Sequence, residues 1–139
     1  TVWMAIDPAT VANGCLKFIR GSHQQQRLLQ HQSNPGKDLT LNQELLPSEF
    51  DESQSVNLEL EAGQISLHDV FLVHGSEANT TAQARRGMTL RYMPTASVFD
   101  RELADQQAQK KGLVSHSSRT LYLMRGQDRS GKNDFRMRL

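Results

Sequence analysis

A single cysteine, Cys15, in 139 residues leaves no intrachain disulfide to form. Whatever holds this chain together is therefore non-covalent, and the cysteine usage fits a reducing cytoplasm. No apolar run approaches the ~18 residues that a membrane-spanning helix needs, and no segment reads as a secretory signal. A dominant sign of charge is missing as well. Sixteen basic and fifteen acidic side chains leave a net charge of +1, which gives no electrostatic basis for a nucleic acid or a membrane surface as partner. Cys15 itself, in NGCLKF between a turn and a strand, reads as a small buried residue.

The length fits one domain at the usual ~100–200 residues. Thirty-two Leu, Ile, Val and Phe residues are enough for a core. The mean hydropathy of −0.58 is low for a complete globular domain, as expected of a chain that lacks some of its core strands.

The apolar residues that are present fall into short runs separated by turn signals. Val2–Ile6 alternates Val2, Met4 and Ile6 against Trp3 and Ala5, and Asp7-Pro8 ends the run. Asn13-Gly14 predicts a turn into a strand at Cys15–Ile19, closed by Gly21-Ser22-His23. Residues 24–55, rich in Gln, Ser and Asn, read as a long loop with a short helical turn at Gln43–Leu46. Val56–Leu60, Ile65–His68, Phe71–His74 and Met88–Tyr92 complete the strand-like runs. Asp100 caps a predicted helix running through Lys110, with Gly112 just past its end and a thin apolar stripe of Leu103, Ala104 and Ala108. Leu121–Met124 reads as a last short strand, and the residues from Gly126 onward as a polar tail. Without strand–helix alternation, the pattern predicts an all-β sandwich or barrel rather than a parallel sheet.

The stretch from Gln64 to Pro94 carries the chemistry. His74 is followed at once by Gly75 and Ser76, where backbone can approach a ligand closely, and Arg85 and Arg86 open the next run. An imidazole can ligate a metal, and a guanidinium can grip a carboxylate through two parallel hydrogen bonds. Together they point to chemistry on a metal-bound organic acid. His68 and Asp69 are adjacent on a strand and point to opposite faces, so they do not reach one metal together. His68 is left as a pocket-lining residue and Asp69 as a turn residue. His23 has no ligand-spaced neighbour and reads as a turn or surface histidine, and His31 as an exposed one.

HGSEANTTAQARRGMTLRYMP and the N-terminal TVWMAIDPATVANGCLKFIRGSH resemble, in order, the phytanoyl-CoA dioxygenase family of iron(II)- and 2-oxoglutarate-dependent oxygenases. The resemblance covers most of residues 1–100. It implies a double-stranded β-helix, the cupin-like jelly roll, incomplete at its N-terminus, with a long loop and a minor C-terminal helix. It places the jelly-roll strands in 1–94 and an extension of the same domain in 95–139. It implies His74 as an iron ligand and, eleven residues on, Arg85 as the residue that binds the far carboxylate of 2-oxoglutarate, with Arg86 as fallback. Ser76 is then the hydroxyl partner of that carboxylate, and Trp3 either lines the co-substrate pocket or is a core tryptophan.

The family holds iron with two histidines and a carboxylate, two of them from an HxD motif, and no HxD occurs in these residues. The chain therefore reads as the C-terminal portion of a longer oxygenase. The expected activity is iron(II)- and 2-oxoglutarate-dependent hydroxylation of a small organic molecule in the cytoplasm, by a protein whose oligomeric state the sequence leaves open. The alternatives are a 2-oxoglutarate-dependent halogenase and a non-catalytic jelly-roll binding module.

Overall fold

The computed structural model describes residues 1–36, 43–111 and 115–136. The chain divides into two compact units, Thr1–Tyr92 and Met93–Leu139. In the first unit the strands are β1 (Val2–Ala5), β2 (Leu16–Ile19), β3 (His31–Ser33), β4 (Gln43–Leu45), β5 (Ser55–Leu58), β6 (Ile65–Leu67), β7 (His74–Ser76) and β8 (Gly87–Leu90). Six of them form two three-stranded antiparallel sheets, β6-β1-β8 and β5-β2-β7, and β3 pairs with β4. The chain crosses from the first sheet (β1) to the second (β2, β5), back (β6), over (β7) and back again (β8). Antiparallel β structure predominates, and the sheets of the described residues do not close into a barrel.

Register decides what is buried. Trp3 stands opposite Ser66 and Thr89, and Ala5 opposite Gly87. This small, polar row surrounds a tryptophan that is only 8% exposed. The other face carries Val2, Met4, Ile65, Leu67, Met88 and Leu90 and lies outward, with Met88 and Leu90 about two-fifths exposed (41% and 42%). An ordinary sandwich would bury the apolar row, but here Trp3 and Ala5 are the buried members of the sheet, with Gly87 and Thr89 exposed beside them. The core is Trp3, Ala5, Ala9 and Cys15, with Leu16 and Leu60 packed on it. Burying the tryptophan ring contributes on the order of 4–5 kcal/mol as an upper figure.

The Asn13-Gly14 turn locks this core. Buried Asn13 accepts from the Thr10 amide at 2.8 Å and donates to the Pro8 carbonyl at 2.8 Å, so its amide is satisfied where water is excluded. Gly14 has φ 79°, and a Cβ there would sit 2.4 Å from the Glu77 carbonyl oxygen.

Several expectations are corrected. Gln43–Leu45 is a strand, not a helical turn, because Glu44 accepts from Gln32 at 2.9 Å and Asn34 at 2.7 Å across the hairpin. The loop region also holds two 3₁₀ turns, Pro47–Glu49 and Glu52–Gln54. The strand expected at Phe71–His74 begins only at His74. The Asp69 side chain accepts from the Phe71 amide at 2.8 Å and its carbonyl from the Leu72 amide at 3.3 Å, so those donors are spent on a turn.

In the second unit, helix α1 (Arg101–Lys111) is capped by Asp100, whose carboxylate accepts from the Leu103 amide at 2.9 Å. Its buried side chain is Ala108, and the expected stop at Gly112 lies outside the described residues. Leu121–Met124 forms no strand, having no neighbouring strand of its unit among the described residues to pair with. The polar tail is not featureless. Asp128 accepts from the Ser130 hydroxyl at 2.7 Å and the Asn133 amide at 3.0 Å, and hydrogen bonding, first from Ser130, holds its carboxyl at about 2. Asn133 in turn bonds the backbone of Ser97 and Phe99. No helix of the described residues is long and apolar enough to cross a membrane.

Candidate active site

The two sheets turn facing rows of side chains toward each other. In the second sheet Leu16 stands opposite Leu58 and Ser76, and Phe18 opposite Val56 and His74. Leu16 packs on the core, and alternation puts His74 and Ser76 on the same face of the sheet as Leu16, although both are exposed. The outward row contains Lys17, whose ammonium is held by Glu52 and Glu77. In the first sheet the inward row of Trp3, Gly87 and Thr89 extends by alternation to Arg85, and that of Ser66 to His68. His74 thus stands on β7 and Arg85 just before β8, in different sheets, β7 and β8 being unpaired with each other.

The layers touch at three rings. His68 lies 5.1 Å from Phe18 and 5.2 Å from His74, and Phe18 lies 6.0 Å from His74, centroid to centroid. Burial is the main cause that pushes the His68 imidazole below its ordinary pKa, followed by repulsion from His74, the N-terminal ammonium and Arg91. His68 is therefore neutral at pH 7 and adds no positive charge beside His74.

His74 Nδ1 lies 2.6 Å from the Leu72 carbonyl. A carbonyl only accepts, so Nδ1 carries a proton, and in the neutral ring this leaves the Nε2 lone pair for a ligand. Metal-bound histidines commonly have this arrangement. The backbone leading into His74 is pinned as well: the Val73 amide donates to the Ser22 hydroxyl at 2.8 Å, and that hydroxyl donates to the Ile19 carbonyl at 2.8 Å. In the GSH turn the serine is thus the working residue, while His23 is exposed.

The two arginines have different fates. Arg86 is exposed and grips Asp7 with Nε at 2.8 Å and Nη2 at 2.7 Å, while its amide donates to the same carboxylate at 2.9 Å. The side-chain hydrogen bond from Arg86 is the main reason that the Asp7 carboxyl lies at about 2. Arg85 is half-buried, its guanidinium 5.9 Å from the centre of the Trp3 ring, and no carboxylate of the described residues pairs with it. The ring also excludes a side chain at Gly87, where a Cβ would come within 2.3 Å of it. Asn79 holds the intervening loop, donating to the Gln83 carbonyl at 2.7 Å and accepting from the Thr81 amide at 2.8 Å.

The model of the phytanoyl-CoA dioxygenase family matches residues 1–87, more than half of the chain. The chain belongs to this family. Phytanoyl-CoA dioxygenase domain-containing protein 1 homologs of Caenorhabditis elegans and Caenorhabditis briggsae are each 35% identical over 97 residues, covering 66% of this chain and 33% of theirs. That of Dictyostelium discoideum is 31% identical over 94 residues, covering 66% and 34%. The chain spans about a third of the length of these curated relatives. Among solved structures, an apo non-heme monooxygenase, ThoJ, is 34% identical over 62% of this chain and 28% of its own, with a TM-score of 0.47.

Family membership sets a test for iron. One imidazole, His74, offers a free nitrogen in the right tautomer, but the described residues contain no group of three His, Cys, Asp or Glu side chains able to hold a metal. These residues fit one ligand position and do not complete the site. Arg85 is a half-buried cation without a carboxylate partner among the described residues, so its guanidinium is free to meet an anionic ligand.

Proposed function

We propose that this chain is part of an iron(II)- and 2-oxoglutarate-dependent dioxygenase that hydroxylates a small organic molecule, and that its two sheets belong to a jelly roll. The strand crossings between the sheets support the jelly roll. The observation that carries the function is the separation of the two arginines: Asp7 occupies Arg86, while Arg85 stands over buried Trp3 with no carboxylate partner among the described residues.

In this reading Nε2 of His74 is one iron ligand, and Arg85 binds the far carboxylate of 2-oxoglutarate in bidentate fashion. Ser76, two residues beyond His74 on the same row, adds a hydroxyl to that carboxylate. Trp3 walls the pocket and excludes water from the ion pair, which strengthens it. When bound, iron supplies oxygen activation coupled to the decarboxylation of 2-oxoglutarate to succinate. The chain's own share is to hold the imidazole tautomer and to orient the co-substrate. Iron-dependent succinate release by the protein that carries this chain should be abolished in His74→Ala, and unchanged release would overturn the assignment. The 139-residue chain alone should bind iron(II) weakly, since one imidazole makes a poor site.

A second reading is a non-catalytic module that binds an organic acid through Arg85, whose guanidinium has no carboxylate partner among the described residues. Titration with 2-oxoglutarate separates the two: binding that is indifferent to added metal supports the module, and binding that tightens with metal supports the enzyme.

A further inference from the structure

Residues 77–84 connect Ser76 to Arg85, and every one of them is exposed. An exposed connection of this kind is usually among the looser parts of a fold, yet this one is held at its start, middle and end. At the start, the Glu77 carbonyl lies so close to Gly14 that a Cβ there would come within 2.4 Å of its oxygen, and Lys17 pairs with the Glu77 carboxylate. In the middle, the Thr80 hydroxyl and amide both donate to the Ala12 carbonyl, at 3.0 and 3.4 Å. At the end, the Arg86 amide donates to the Asp7 carboxylate at 2.9 Å, and the Ile6 amide to the Arg86 carbonyl at 3.0 Å.

The anchors Asp7, Ala12 and Gly14 lie on one short stretch of backbone, and Asn13 makes that stretch a unit. Only 2% exposed, Asn13 donates from its side chain to the Pro8 carbonyl and accepts from the Thr10 amide, both at 2.8 Å. A buried amide bonded at both ends has no alternative partner to turn to, which holds the stretch in one conformation. The place where the connection delivers Arg85 is thus set by Ala12 and its neighbours, 68 residues before Thr80. The Arg85 guanidinium stands 5.9 Å from the Trp3 ring centre with no carboxylate partner among the described residues, so its position depends on where its backbone is put. Fixing a long side chain in advance removes part of the ordering cost of binding an anion.

We propose that the turn at Ala12, Asn13 and Gly14 is a positioning element for Arg85, acting through Thr80, and that it holds the guanidinium over Trp3 before an anionic ligand arrives. Thr80 and Gly14 are positioning residues that act through the connection. That the ligand is 2-oxoglutarate rests on the function proposed above, and the positioning does not.

Gly14→Ala adds a methyl against the Glu77 carbonyl at a left-handed backbone position, which disturbs the fold as well as the connection, so the deciding variants are at exposed Thr80. In the labelled 139-residue chain, NMR should show the ring-current shift and Overhauser contacts that Trp3 gives the Arg85 side chain. Thr80→Val, which keeps the size and loses the hydroxyl, should remove most of both while leaving the Arg86 signals and the denaturation midpoint in place, and Thr80→Ser should restore them. Arg85 signals unmoved in Thr80→Val, no recovery in Thr80→Ser, or Arg85 and Arg86 signals moving together with a lowered midpoint overturns the proposal. Titration with 2-oxoglutarate then separates the positioning from the ligand. Thr80→Val should bind roughly fivefold more weakly than the unaltered chain, the worth of one hydrogen bond, and Thr80→Ser equally well. Binding indifferent to Arg85→Met removes the co-substrate reading and leaves the positioning of Arg85 standing. Binding that needs Arg85 but is the same in Thr80→Val overturns the positioning and leaves that reading standing.

Discussion

Gly87 shows how one residue without a side chain organises the chemistry around it. The Trp3 ring fills the space where a Cβ would stand, 2.3 Å away, and Arg85 lies over that ring. Gly87→Ala should therefore push the ring aside, costing about 1–3 kcal/mol as overpacking does. Trp3 is the single tryptophan, so its fluorescence reports the displacement, and an unchanged emission and denaturation midpoint would refute it. His68 offers a second check at this scale. Burial lowers its pKa, so its titration midpoint by NMR should fall below the ordinary 6.5. Because the unfolded chain binds that proton more readily, stability should decline as pH falls below 6.5. The preference for Arg85 over Arg86 comes from the family offset of eleven residues after His74, since alternation by itself only puts the two arginines on opposite faces. The reason that Arg86 is engaged was not legible in the sequence, since its partner Asp7 lies 79 residues away.

At the level of elements, short side chains set where strands begin and end. Asp69 delays β7 to His74 by taking the amides of Phe71 and Leu72, and Ser22 then anchors Val73. Ser22→Ala should leave the Val73 amide without its acceptor, costing about 1 kcal/mol, and should speed hydrogen exchange at Val73 more than at Gly75. The Asp7–Arg86 pair joins the end of β1 to the start of β8. With an ordinary carboxyl pKa of 3.8 and a folded value of about 2, its contribution is complete above pH 4 and is lost as pH falls through 2. Urea midpoints measured from pH 5 to 2 should fall less steeply in Asp7→Asn, and parallel curves would show that the pair does not stabilise the fold. Hydrophobic alternation brought out five of the strands, β1, β2, β5, β6 and β8, because their apolar residues recur at every second position. The β3–β4 hairpin escaped because its polar residues bond across strands instead of packing, and the Asp128–Asn133 cluster escaped because it is built from side-chain-to-backbone bonds that carry no period.

For the whole molecule, the family and the antiparallel β architecture were legible because motifs and order survive in the sequence. Which face carries the core was not, because Trp3 and Ala5 are buried while the apolar residues of β6 and β8 are exposed. The proposed function rests on a polar co-substrate bound between the sheets, which makes the convergence of His74 and Arg85 the central claim. The direct test is paramagnetic broadening in the ¹⁵N- and ¹³C-labelled chain on adding manganese(II) together with 2-oxoglutarate, manganese standing in for iron. The predicted result is joint broadening of the His74 ring and the Arg85 side chain, lost in His74→Ala and, for the 2-oxoglutarate-dependent part, in Arg85→Met but not in Arg86→Met. Broadening that reaches one of the two residues without the other, or that survives both substitutions, would contradict it.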